Sequence, residues 1–527
     1  MLDELAFRHQ EALESQSPES ARAWQDFVAA RQRLATLWVR GPAAGYTYWP
    51  ELKEALVARK KAEKALAAAS TGFRSSVAYQ EVGLRDVLEA LPPRSALVEY
   101  VRVPVRPPGP SSYTDHYIAL ILDDRSGARY ADLGPAGEID ALVQGWLASL
   151  RDSYGAMGTE GSQNSLADGP TGRELRQRIW DPVVEQVPEA DLVFVVLDGS
   201  LNQVHVPALP TSGGGYVIDE KAAVHVLSSG RDLIRIQDVS SQTTSGLLAL
   251  GNPDFDLAED NLAPDSAEMA PYRGPRARCG ALRGIQWRSL PETEIEVQEI
   301  GSLYEDHGDV TLLLGAAATE DKLKREAPGV KYLHIATHGF FLQGDCPSAD
   351  AVDRGIGLIV PESQAEEEAP GLSDGTLSAL AFGENPLLLS GLVLAGANNT
   401  AAVEEGAEDG IVTAEEIAAL DLRGLRIAAL SACDTGLGTV ATGEGVFGLR
   451  RALEIAGAQT VLMSLWSVPD EAAREWMTGF YERKLAGSSV QQATQATSMA
   501  LLQRLRQEGK ATHPYLWAGF VAAGDWR

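Results

Sequence analysis

The chain has 527 residues and a formal charge of −28, from 73 acidic and 45 basic side chains; it is too long for one ordinary core, so two or three domains are expected. A field of that sign repels phosphate backbones, which argues against nucleic acid as a partner. No apolar run is long enough to span a bilayer, and the opening MLDELAFRHQ lacks the layout of a signal peptide, so the expected setting is a reducing cytoplasm with no membrane contact.

Residues 1–91 read as helical. Trp24, Phe27, Val28, Leu34, Leu37 and Trp38 recur at helical spacing. GPAAGYTYWP interrupts the pattern, and Pro50 suits the first turn of a second helix over about 51–69, rich in Ala, Lys and Glu. After LPPRS the period shortens to that of strands. ALVEYVRV, HYIALIL and ARYADL are strands, followed by a helix around 137–150, a Gly/Ser-rich loop, a further helix, and the apolar runs DLVFVVLDG and AAVHVL. Residues 92–243 therefore form one α/β unit. From 244 to 527 strands and helices alternate: LLALGN, TLLLG, KYLHIAT, RIAALSA, TVLMSLW and YLWAGFVA, with helices such as Gly445 to Ala456 and Asp470 to Ala486. Near-continuous apolar strands separated by helices predict a parallel sheet covered on both faces. Residues 343–389, with Glu366-Glu367-Glu368 and little periodicity, read as a long acidic insertion whose composition favours mobility.

Sites in open parallel sheets form at the carboxyl ends of strands. KYLHIAT delivers His338 and Gly339; RIAALSA delivers Cys433, then Asp434. If those strands are neighbours, a thiol and an imidazole meet at one sheet edge, which suits acyl transfer: a thiolate attacks, and the histidine takes its proton and later gives one to the leaving amine. The backbone N–H groups of Gly339 and Cys433 are candidate oxyanion donors. The plainer reading stays open here, because a lone buried cysteine is commonly an inert small hydrophobe and a strand histidine a satisfied core residue. Cys279, Cys346 and Cys433 are too few and too far apart for a disulfide framework or a metal site, and acyl transfer by a thiol and an imidazole needs neither a metal nor an organic cofactor, so none is expected.

The segments HIATHGFF, LSACDTGLG, GEGVFGLRRALEIAGAQTVLMSLWSVPD and HPYLWAGFV, with VVLDGSLNQVHVPAL, LALGNPDF and LPETEIEVQEI, resemble the CHAT family of caspase-like cysteine peptidases of clan CD, related to caspases and separase. The resemblance covers roughly residues 85–525 in order. It implies a caspase-like sheet, rich in parallel strands, with helices on both faces. A degenerate caspase-like unit would precede it at 92–243, and an N-terminal helical segment at 1–91, whose helices would receive a regulatory protein partner. It assigns His338 as general acid/base, Cys433 as nucleophile and Gly339 to the oxyanion hole. His334 is read as structural, and Glu444 of Gly443-Glu444-Gly445 as a brace for the following helix. Asp434 and Asp470 are pocket residues or, equally, solvated loop carboxylates. The implied activity is limited cleavage of a protein substrate, in bacterial antiviral defence or programmed cell death. The rivals are a non-catalytic interaction scaffold and a small-molecule thiol hydrolase.

Overall fold

The computed structural model describes residues 18–40, 48–69, 82–106, 113–123, 125, 127–156, 170–236, 244–257, 286–341, 386–402, 408–431, 439–441, 445–466 and 468–527. The fold is mixed α/β, built on an eleven-stranded, mostly parallel sheet. Its first five strands are β1 (Ser95–Val105), β2 (Thr114–Asp123), β3 (Gly127–Pro135), β4 (Leu192–Val196) and β5 (Ala223–Leu227). The others are β6 (Ser245–Pro253), β7 (Val310–Gly315), β8 (Val330–Ala336), β12 (Ile427–Leu430), β15 (Thr460–Ser464) and β16 (Phe520–Gly524). Five shorter strands make two small sheets: β9 (Gly339–Phe341), β10 (Ser390–Val393) and β11 (Ile411–Thr413) form one, and β13 (Thr439–Ala441) pairs with β14 (Gly445–Phe447) in the other.

The order across the large sheet is β3-β2-β1-β4-β5-β16-β15-β12-β8-β6-β7. Beyond the antiparallel β1–β2–β3 meander, every pairing is parallel except β15 with β16. The sheet thus runs without a break across the boundary expected at 243/244, joined by the parallel pairing of Val226 with Ala523. Alternation sorts the side chains of the first half. Val193 and Val195 enter one core cluster, while Phe194 and Val196 enter another on the opposite face, as a strand buried on both sides requires.

Among the described N-terminal residues the two long helices are α1 (Pro18–Arg40) and α2 (Tyr48–Ala69). Leu34, Leu37, Trp38, Leu52 and Ala55 pack into one cluster with Phe255, Trp287, Phe340, Val393 and Ile411, so this layer rests on the small β9–β11 sheet. A buried ion pair fastens it: Arg31 Nε and Nη2 donate to both oxygens of Glu415 at 2.6 and 3.0 Å, and Arg59 Nε lies 3.3 Å from the same carboxylate.

Two details differ from the sequence reading. The stretch expected to be helical from Gly445 begins as β14, and its helix covers only Leu449–Ala456. The last strand, expected within a parallel set, runs antiparallel to β15; its apolar run is the same for either direction. Most of the expected acidic insertion lies outside the described residues, which resume at Pro386–Leu389, a short 3-10 turn leading into β10.

Candidate active site

Strands β8 and β12 are parallel neighbours, with Ile335 opposite Leu430. The Ser431 N–H continues the ladder by donating to the Ile335 carbonyl at 2.9 Å. The two chains therefore leave the sheet at the same edge, one toward His338 and the other toward Cys433. Cys433, Asp434 and Glu444 lie outside the described residues, as do Cys279 and Cys346. Thr337 ties the exit of β8 down, because its Oγ1 donates to the Val393 carbonyl at 2.5 Å. Gly339 opens β9 and pairs with Leu392 of β10.

His338 is half-buried and held on three sides. Its Nε2–H donates to the Arg288 carbonyl at 2.9 Å. Its ring lies 5.2 Å from Phe255 and 5.4 Å from Trp287, centroid to centroid. A carbonyl can only accept, so Nε2 carries the proton of the neutral ring and Nδ1 keeps its lone pair. Burial pushes the imidazole below its ordinary value, opposed in part by the Arg288 carbonyl and by the charge of Asp470. Asp470, at the start of the helix Asp470–Leu485, is thus an electrostatic neighbour of His338.

His334, four residues earlier, occupies a different environment. It is fully buried, and its Nε2–H donates to Glu296 Oε1 at 2.9 Å. That carboxylate belongs to the helix Pro291–Tyr304.

The first half of the sheet also reaches this region. The β13–β14 hairpin lies against the turn Gly199–Gln203. That turn is held by Asp198, whose carboxylate accepts from the Gly199 and Arg102 N–H groups at 2.8 and 2.9 Å. Gly199 has φ +58°, and a Cβ there would stand 2.0 Å from the Tyr117 hydroxyl, so only glycine fits.

Glu320, Glu408 and Glu416 bring carboxylate oxygens within 4.8 Å of one another. The Lys324 ammonium already lies among them, at 2.6, 3.1 and 3.0 Å. Burial opposes its charge, but Glu416, Glu320 and Glu408 outweigh this and hold it above its ordinary range. A cation thus already satisfies the cluster.

Several residues around His338 were not singled out in the sequence. Phe255 falls in the LALGNPDF segment, where no role was assigned to it, and nothing in the local pattern marked Trp287, Arg288 or Asn398.

A family model described as a CHAT domain matches residues 169–525. Tetratricopeptide repeat protein 28 of Homo sapiens is 24% identical over 345 residues, which cover 63% of this chain and 12% of that protein. The chain therefore spans about an eighth of the length of that curated relative. The Saccharomyces cerevisiae separase–securin complex is similar at 10% identity and a TM-score of 0.45, over 92% of this chain and 34% of the matched chain. The Arg-specific cysteine proteinase gingipain R is similar at 10% identity and a TM-score of 0.34, over 74% of each chain.

Proposed function

Because the chain belongs to the CHAT domain family, we propose that it is a cysteine endopeptidase in which Cys433 is the nucleophile and His338 the base. One observation carries this reading: β8 and β12 are adjacent, parallel and in register, so the two strands end at the same sheet edge, a short way before His338 and Cys433 in the sequence. The state of the imidazole fits the role, because Nε2 is occupied by the Arg288 carbonyl and Nδ1 is left to accept a proton.

In the proposed cycle Nδ1 takes the thiol proton as sulfur attacks the scissile carbonyl. The tetrahedral oxyanion is held by the N–H groups of Gly339 and Cys433. Collapse breaks the C–N bond, and the imidazolium returns its proton to the leaving amine. Water, deprotonated by the same Nδ1, then hydrolyses the thioester. Within the same reading, β1–β5 are the degenerate unit. The helices α1 and α2 are the docking layer for a regulatory protein, and the substrate is a protein cut at few places, in the cytoplasm. Asp470, with Asp434, would favour a basic residue before the cut.

Among the described residues no helix is long and apolar enough to cross a membrane. A peptide acyloxymethyl ketone should label the wild-type chain, and labelling should vanish in Cys433→Ala and His338→Ala but persist in Cys279→Ala and Cys346→Ala. Labelling that survives Cys433→Ala excludes this nucleophile; a wild type that never labels favours a scaffold. Neo-terminus proteomics on the wild type against Cys433→Ala separates a peptidase from a small-molecule thiol hydrolase.

A further inference from the structure

We propose that Asn398 is a positioning residue, whose amide holds the peptide of Trp287 so that the Arg288 carbonyl keeps His338 in the Nε2–H tautomer. This rests on the reading of His338 as the base for Cys433.

Asn398 follows β10 and faces two separate chain segments. Its Oδ1 accepts from the Trp287 N–H at 2.8 Å. Its Nδ2 donates to the Trp287 carbonyl at 3.0 Å and to Asp256 Oδ1 at 2.7 Å. These partners determine which end of the amide is which: an N–H needs an acceptor, and a carbonyl and a carboxylate need a donor. Its own backbone N–H donates to the Phe255 carbonyl at 2.9 Å. One side chain therefore grips both polar groups of residue 287 and the turn carrying Phe255. Those are the two rings that enclose His338, and the next carbonyl along is the acceptor of its Nε2–H.

The chemical consequence concerns the tautomer. A neutral imidazole protonated at Nδ1 has no lone pair there to receive a thiol proton. Arg288 is exposed on a segment without regular secondary structure; Asn398 holds the residue before it, and Asn252 Oδ1 accepts from Ser289 Oγ and the Leu290 N–H after it, both at 2.9 Å. Among the described residues, Asp470 is the charged group acting on the ring; it influences charge but accepts no bond from Nε2. Asn399, the adjacent residue, serves as a contrast: its Nδ2 donates to the Asp256 and Leu257 carbonyls at 3.0 and 3.1 Å and does not touch residue 287.

The experiment pairs nitrogen NMR of histidine-labelled protein with acyloxymethyl ketone inactivation kinetics, the His338 signals being assigned by their loss in His338→Gln. Wild type should show His338 protonated at Nε2. In Asn398→Ala the Nδ1–H form should gain population, and the maximal inactivation rate should fall roughly tenfold to hundredfold, the scale of a small misplacement of a reacting group. The inhibitor concentration giving half that rate should stay within about twofold. Asn399→Ala should leave the tautomer as in wild type. Asn398→Asp keeps the acceptor but loses both donors and sets a carboxylate against Asp256; adding Asp256→Asn restores a donor there and should recover part of the loss. This pair decides the matter if Asn398→Ala does not fold. An unchanged tautomer in a folded Asn398 variant, or an equal shift in Asn399→Ala, overturns the proposal. If wild type reacts with no inhibitor, the tautomer alone still judges the positioning role, while the peptidase reading falls by itself.

Discussion

His334 and His338 share one strand and its exit yet have opposite surroundings. Four residues separate an imidazole locked on Glu296 at zero exposure from one that is half-buried at the sheet edge. His334→Ala removes one member of a buried pair and leaves the Glu296 carboxylate without its donor, a change that costs about 3 kcal/mol or more. The melting temperature should fall by several degrees while inhibitor labelling, measured well below the melt, stays near wild type. A labelling rate that collapses in a well-folded His334→Ala would give this residue a part in the chemistry. Strand alternation and the abrupt His-Gly end made His338 legible, because both are local signals. Its supports were not legible. Arg288 is 50 residues from His338, and Asn398 is 111 residues from Trp287; both lie in loop or turn segments where no periodicity announces a contact.

Short elements carry the connection between the N-terminal helices and the site. The strands β9, β10 and β11 have three or four residues each, too few for alternation to register in a sequence window, and so their sheet went unread. The α1–α2 layer, by contrast, was plain from its apolar spacing, although what it would rest on was not. Arg31→Met should deprive buried Glu415 of its bidentate partner, at a cost of about 3 kcal/mol. Amide exchange over 18–40 should then speed up by about a hundredfold, and unchanged exchange would mean that apolar packing alone holds the layer. The neighbouring cluster predicts a pH effect. Burial, then the charge of Glu416, raises Asp409 to about 8, and burial likewise raises Glu320; Glu408 and the Lys324 ammonium also face them. The folded chain keeps protons there that the unfolded chain releases near pH 4, so stability drains away as pH rises through that window. Asp409→Asn stays neutral and can still accept from the Ile411 N–H, bonded at 3.0 Å in the wild type. Its melting temperature should therefore exceed wild type by a margin that widens from pH 6.5 to 8. A constant margin over that range would rule out titration of Asp409.

The whole molecule is organised around the seam where β5 meets β16. Composition and periodicity foretold two α/β units, but an apolar run does not say which edge it will join, so the single sheet shared by both was not legible. Two buried histidines close the seam: His205 Nδ1–H donates to the Ala518 carbonyl at 2.7 Å, and His225 Nε2–H to the Gly524 carbonyl at 3.0 Å. Burial pushes each down to about 4. An unfolded histidine protonates near pH 6.5, so stability is complete above that value and is lost as pH falls toward 4, by about 1.4 kcal/mol per pH unit for each group. Chemical unfolding followed from pH 6.5 to 4.5 should show wild type losing about 1.4 kcal/mol per pH unit more than His225→Asn, whatever slope the other titrating groups add to both. An unaltered slope would move the acid lability elsewhere. The seam also sets a timetable for synthesis. His225 and Gly524 stand 299 residues apart, and a ribosome adding about 5–20 residues each second needs about 15 to 60 s to travel between them. Throughout that interval the nascent chain carries β5 with one flank unpaired, an open edge that can recruit any strand of a neighbouring polysome, so yield in a heterologous host should depend on how well chaperones shield that edge until β16 emerges.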